Sequence, residues 1–177
     1  MYKSPDETIE RLIQQNKLFQ QRYKNEAAHH VKGQSPKIAI LTCADSRVVP
    51  EFIFNVSIGE LFVVRLAGNI AVDETVIASL EYAVEHLKVS HLIVLGHSYC
   101  GAVKATEQSP DSESLLLREI KESFGLDESN HMQANLNRQL QMLPKRSTTI
   151  QKALSDGSLH LVGAIYYVED GHVEFIS

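Results

Sequence analysis

The sequence predicts an α/β domain: a central, mostly parallel β-sheet with an antiparallel edge strand, flanked by helices. Three observations predict it. The apolar runs Ile38–Leu41, Leu61–Val64 and Leu92–Leu95 are each four residues long, the length of buried strands and too short for helices. An amphipathic segment separates the second run from the third, which makes a βαβ unit whose crossover implies parallel pairing. Near the C-terminus, two apolar-rich stretches flank Glu169-Asp170-Gly171, a hairpin signal that adds antiparallel pairing at one edge.

The elements follow in order. Ser4-Pro5-Asp6-Glu7 reads as a helix start, with Ser as N-cap, Pro at the first position and Glu at the third. Ile9, Leu12, Ile13, Phe19 and Tyr23 then recur at helical spacing, giving a helical arm over about residues 4–24. Lys24 to Lys37 is polar, contains Gly33 and Pro36, and reads as a loop; His29 and His30 within it are expected to be solvated. The first strand leads to Cys43. Val48 to Ser57, with Pro50 and Asn55, is a connection holding about one helical turn. The second strand is closed by Gly68.

Glu74 to Leu87 places Val76, Leu80, Ala83, Val84 and Leu87 on one face, with Asp73 and Glu74 suited to its N-terminus and His86 and Lys88 to its C-terminus. The third strand leads to His97. Gln108 to Glu113 is a polar linker. Leu115, Leu116, Ile120 and Phe124 predict one helix, and Met132, Leu136, Leu140 and Leu143 another that Pro144 stops. Ser147 to Leu154 is a short helix with Gly157 just past its end. Leu159–Val168 and His172–Ile176 form the hairpin.

Composition bounds the function. The chain has 177 residues, 44% hydrophobic and 22% charged, which suits one globular domain over 1–177 with a proper core. Its 17 basic and 22 acidic residues give a net charge of −5, against the basic footprint of a nucleic-acid binder. No apolar run approaches the ~20 residues that span a bilayer, and the N-terminus is polar. Two cysteines and no export signal predict a reducing cytoplasm, where thiols stay free for metal.

The chemistry sits where two strands end. Cys43-Ala44-Asp45-Ser46-Arg47 follows the first apolar run, and Gly96-His97-Ser98-Tyr99-Cys100-Gly101 follows the third. In open α/β sheets ligands bind at the carboxyl ends of strands. If these two strands are parallel neighbours, Cys43, His97 and Cys100 converge, and two thiolates with one imidazole suit zinc. A cysteine after a strand is ordinarily buried filler and a loop histidine ordinarily a surface one. Both cysteines ending apolar runs, one within His-x-x-Cys, is a stronger coincidence. A Cys43–Cys100 disulfide would account for neither His97 nor Asp45 and Arg47. The Gly96–Gly101 spacing mimics a phosphate loop, but Ala102 and Val103 stand where Lys and Ser/Thr belong. Val49 and Thr106 rule out a Cys-x5-Arg phosphatase.

These motifs resemble the signature of the β-class carbonic anhydrases, Cys-x-Asp-x-Arg followed by His-x-x-Cys. Arg65-Leu66-Ala67-Gly68-Asn69, Ser79–Val84, Asn135 and Gln139, and Val162-Gly163-Ala164 with Tyr166 resemble further parts of that family, from about Leu12 to Phe175. The resemblance implies zinc on Cys43, His97 and Cys100, and reversible hydration of carbon dioxide to bicarbonate and a proton by zinc-bound hydroxide. Asp45 would orient the hydroxide, with Arg47 as its bidentate partner; the plainer reading is a loop salt bridge. Asp45 could instead be a fourth zinc ligand, closing the site into a non-catalytic one. The resemblance also implies a homodimer or a larger dimer-based assembly, with the N-terminal helix packed on the other subunit. His86 and His91 are candidate proton shuttles by sequence proximity alone. Val48, Phe52, Val63, Leu66 and Tyr99 are candidate apolar walls for the substrate. Leu66 stands where the family carries Asn, which leaves carbonyl sulfide or carbon disulfide as competing substrates.

Overall fold

The structure, a computed structural model, describes residues 5–24 and 30–176. The chain divides into two units, residues 1–34 and 35–177. In the first, helix α1 (Pro5–Tyr23) opens on Pro5 with Asp6 and Glu7 in its first turn and Arg22 in its last, each charge matched to the nearer end of the helix dipole. The expected cap Ser4 and the neighbour His29 lie outside the described residues. Ile9, Leu12, Ile13, Leu18 and Phe19 are all exposed on α1. Phe19 stacks on Tyr23, and Tyr23 on His30.

The second unit is built on a five-stranded sheet of order β2-β1-β3-β4-β5. The strands are β1 (Ile38–Thr42), β2 (Leu61–Arg65), β3 (His91–His97), β4 (His160–Tyr166) and β5 (Val173–Ile176). The first four are parallel, and β5 runs antiparallel to β4. The turn of that final hairpin places Gly171 at φ 79°, a conformation glycine adopts freely. The β1–β3 register, Ile38 opposite His91 through Thr42 opposite Leu95, brings their C-terminal ends side by side.

Alternation along the strands divides the core. Ala39, Leu41, Leu92 and Val94 face one way, under Val76, Ile77, Leu80 and Ala83 of α3 (Glu74–Glu85), Leu136 and Leu143 of α6 (His131–Arg146), and Ile150 and Ala153 of α7 (Thr148–Ser155). Ile40, Ile93 and Leu95 face the other way, packed with Val48, Ile53 and Phe54 around the short helix α2 (Pro50–Ile53). Side-chain caps begin three of the helices: Asp73 accepts from the Thr75 amide, Asn130 from Gln133 and Ser147 from Ile150.

Three departures from the sequence reading have local causes. Residues Gly101–Gln108 form helix α4, which was not expected because its apolar face is only Ala102, Val103 and Ala105. Leu115–Phe124 is not one helix: α5 covers Leu115–Lys121, and a separate 3-10 turn covers Phe124–Leu126. Pro144 does not stop α6, which continues to Arg146. Proline removes one backbone hydrogen bond and crowds one carbonyl. Here it lies in the final turn, where buried Leu143 packs the helix in place and the Ser147 amide still reaches the Leu143 carbonyl.

The strand order locates the site. From β1 the chain passes to β2 on one side, and from β3 to β4 on the other. The carboxyl ends of β1 and β3 therefore flank a topological switch point, the crevice where open α/β sheets receive ligands.

Candidate metal centre

Cys43 stands just past the end of β1, His97 ends β3, and Cys100 is the cap residue of α4. All three are buried, and the two sulfurs and one imidazole nitrogen lie within 4.8 Å of one another. Among the described residues, this is the one group of three or more histidine, cysteine or acidic side chains with metal-binding spacing. Both cysteines are free thiols, so the disulfide alternative falls.

The loop between His97 and Cys100 turns sharply because Tyr99 takes φ 54°, an unusual conformation for a bulky residue. That turn returns the chain so that Cys100 faces the end of its own strand. Ser98 anchors the loop to the hairpin: its amide donates to the Tyr166 carbonyl, and its hydroxyl donates to Glu169 at 2.6 Å and accepts from the Val168 amide.

The imidazole tests whether a metal fits. Nδ1 of His97 lies 2.9 Å from the Ser98 carbonyl, an acceptor only, so Nδ1 carries the proton. The Nε2 lone pair is thereby free, and Nε2 is buried without a hydrogen-bond partner. An orphaned buried nitrogen costs stability unless something takes its lone pair. A backbone carbonyl fixing one ring nitrogen while the other is left for metal is the usual arrangement of a ligating histidine. With two sulfurs alongside, the donor set fits zinc.

The sulfurs differ in their surroundings. The Cys100 thiol beside Cys43 lowers the Cys43 pKa against the opposing effect of burial, and the backbone amides of Asp45 and Gly68 lower it further. The same Cys43 contact, with burial, raises Cys100, while the Ala102 and Val103 amides of the first turn of α4 oppose the rise. The Gly68 amide reaches Cys43 Sγ at 3.3 Å. Gly68 can do so because the 3-10 turn Ala67–Asn69 holds it at φ 69°, and because a Cβ there would meet Ile120 Cδ1 at 2.7 Å.

Asp45 and Arg47 form the expected fork. Arg47 Nε donates to Asp45 Oδ1 at 3.0 Å and Nη2 to Oδ2 at 2.8 Å, and the Arg47 amide also reaches Oδ1. The guanidinium holds Asp45 well below the usual carboxylate range. Nη2 also donates to the Tyr99 carbonyl, tying the two ligand loops together. Arg65, whose role sequence reasoning missed, donates to the carbonyls of Cys43 and Asp45 from the end of β2.

Other expected site residues scatter. His91 begins β3 and lies six positions before His97 along the strand, roughly 20 Å away. His86 caps the C-terminal end of the helix before that strand, so both candidate shuttles sit at the far end of the sheet. Val48 is buried in the second cluster, and Phe52 and Tyr99 are exposed. Val63 is half-buried in β2. Leu66 packs between the main core and the cluster holding Cys43, Ile70 and Cys100.

Comparison with known proteins agrees with this geometry. The carbonic anhydrase family model matches residues 38–173. The carbonic anhydrase of Mycolicibacterium smegmatis is 38% identical over 160 residues, covering 82% of this chain and 77% of its own length. Carbonic anhydrase 2 of Mycobacterium tuberculosis is 37% identical over 153 residues, covering 78% of this chain and 73% of its own length. The solved β-carbonic anhydrase CcaA superposes with a TM-score of 0.80 at 28% identity, over 97% of this chain and 91% of that one. With the family match spanning strands β1 to β4 and both ligand loops, the chain belongs to the β-carbonic anhydrase family.

Proposed function

We propose that the chain hydrates carbon dioxide reversibly to bicarbonate and a proton, on zinc held by Cys43, His97 and Cys100. The observation that carries this reading is the buried, unpartnered Nε2 of His97 within reach of two sulfurs. Bound zinc supplies a Lewis acid that brings the pKa of water towards neutrality, so that hydroxide is available as nucleophile. Asp45, ionised and able only to accept, would accept a hydrogen bond from the nucleophile that bound zinc would supply and so orient it towards carbon dioxide. Arg47 occupies both carboxylate oxygens of Asp45, which favours an open, catalytic site over Asp45 as a fourth ligand. Arg65 steadies the backbone that carries Cys43 and Asp45.

The active unit in this reading is a homodimer. The exposed apolar face of α1 supports it, as do exposed Phe52 and Tyr99 beside the ligand loops. We read α1 as an arm of the same functional domain, and place the enzyme in the cytoplasm because both thiols are free. Among the described residues, no helix is long and apolar enough to cross a membrane.

The test is stopped-flow carbon dioxide hydration by zinc-loaded protein, with carbonyl sulfide as competing substrate. Cys43→Ser should lose zinc and activity together. Full zinc occupancy in that variant would overturn the ligand assignment, and faster turnover of carbonyl sulfide would overturn the substrate.

A further inference from the structure

A buried polar relay runs from α6 to the metal centre. Asn135 and Gln139 lie one helical turn apart on α6, at 2% and 1% exposure. Gln139 Nε2 donates to Asn135 Oδ1 at 3.1 Å, and Asn135 Nδ2 donates to the Gly68 carbonyl at 2.8 Å. Gln139 Oε1 accepts the Ala71 amide at 2.8 Å. The two amides thus grip the 3-10 turn at Gly68 and, three residues on, at Ala71. Gly68 in turn donates its own amide to Cys43 Sγ.

Burying two carboxamides in an apolar helix face costs stability unless they are fully engaged. Two of the three bonds here end on the segment that supplies the N–H···S contact, and the third ties the two carboxamides together. An apolar pair would fill the same space without aiming that amide. A hydrogen bond to a thiolate draws electron density from sulfur and weakens its donation to a bound metal. Two thiolates donate strongly, so such a bond leaves zinc the better Lewis acid.

We propose that Asn135 and Gln139 are positioning residues: they fix the Gly68 amide on the Cys43 sulfur and so set that sulfur's donation to zinc. This rests on Cys43 being a zinc ligand, as proposed above. Partners around metal ligands typically change metal affinity about 10- to 100-fold when removed.

The test replaces zinc by cobalt(II), whose thiolate-to-metal charge-transfer band reports sulfur donation directly, and measures zinc release to a chelator. Asn135→Leu and Gln139→Met keep a similar side-chain shape and remove the relay. Both should shift the charge-transfer band to lower energy and change the zinc release rate about 10-fold or more. Asn135→Gln or Gln139→Asn, which keep the carboxamide, should shift the band less than their apolar counterparts. Leu143→Ala removes a buried side chain from the same helix without touching the turn; it should lower the melting temperature and leave the band in place. Unshifted bands in both apolar variants would overturn the relay, as would an equal shift in Leu143→Ala. If Asn135→Leu does not fold, Gln139→Met decides by the same band. An unaltered band in Cys43→Ser would instead overturn the ligand assignment, so the two failures are distinguishable.

Discussion

Gly68→Ala should be among the most damaging single-methyl additions this chain can suffer. Two costs are separable. The residue sits at φ 69°, where a Cβ costs about 1–2 kcal/mol. The added carbon would also stand 2.7 Å from Ile120 Cδ1, with Ala102 Cβ at 3.3 Å, in a cluster where Ile120 is fully buried. Overpacking of that kind costs about 1–3 kcal/mol. The total of about 2–5 kcal/mol is a large share of a typical domain's 5–15 kcal/mol. Ile120→Val removes the offending Cδ1 at a cost of its own of about 0.5–1.5 kcal/mol. Urea unfolding of the two single variants and the double variant closes a cycle. The double variant should be more stable than the sum of the singles predicts, by about 1–3 kcal/mol, because the steric part vanishes and the backbone part stays. Additivity within about 0.5 kcal/mol would refute the steric reasoning and leave the whole effect to the backbone.

Three further outcomes follow from the site and the arm. Arg47→Ala should depress carbon dioxide hydration even at alkaline pH while zinc content, measured by atomic emission, stays near wild type; unchanged rates at every pH would reduce the Asp45–Arg47 pair to a loop salt bridge. Because Arg47 lowers the Asp45 pKa, the pair's stabilisation is fully present above the unfolded carboxylate value of about 3.9 and is lost only as pH falls towards the folded value. The stability difference between wild type and Asp45→Asn should therefore hold constant from pH 8 to about 5, and shrinkage within that range would contradict the assignment. Leu12→Glu puts a charge on the exposed face of α1 without entering a core, so sedimentation should show dissociation of the proposed dimer, and an unchanged sedimentation coefficient would remove α1 from the proposed interface.

What the sequence made legible was what neighbours along the chain determine. Strands β1 and β3 showed as apolar runs with a ligand motif at each end, and the βαβ unit between Leu61 and Leu95 implied parallel pairing. Adjacent parallel strands then forced Cys43 and His97 together. Helix α4 escaped because a helix of Gly101–Gln108 needs little apolar surface when its first turn caps a metal-binding loop. Pro144 misled because propensity at one position is weaker than the packing of Leu143 beside it. His91 misled because nearness in sequence to His97 is, on a strand, distance in space.

The supporting contacts were invisible for a different reason. Asn135 reaches Gly68 across 67 residues, and Ser98 reaches Glu169 across 71. No periodicity or spacing rule connects such pairs; they meet only because α6 lies against the sheet and the β4–β5 turn folds over the end of β3. The two connections also do different work. Glu169 acts on the loop that fixes the His97 tautomer, and Asn135 acts on the turn that donates to Cys43. Two of the three candidate ligands, Cys43 and His97, are therefore each held through a residue far along the chain, and their orientation depends on the whole sheet having formed. A site whose ligands come from two short motifs is thus assembled by the fold. It follows that folding and zinc binding should be coupled: adding zinc should raise the melting temperature of the wild type by several degrees, and Ser98→Ala, which cuts the Glu169 tether, should reduce that rise. An equal zinc-induced rise in both proteins would show that the His97 loop is rigid without its tether.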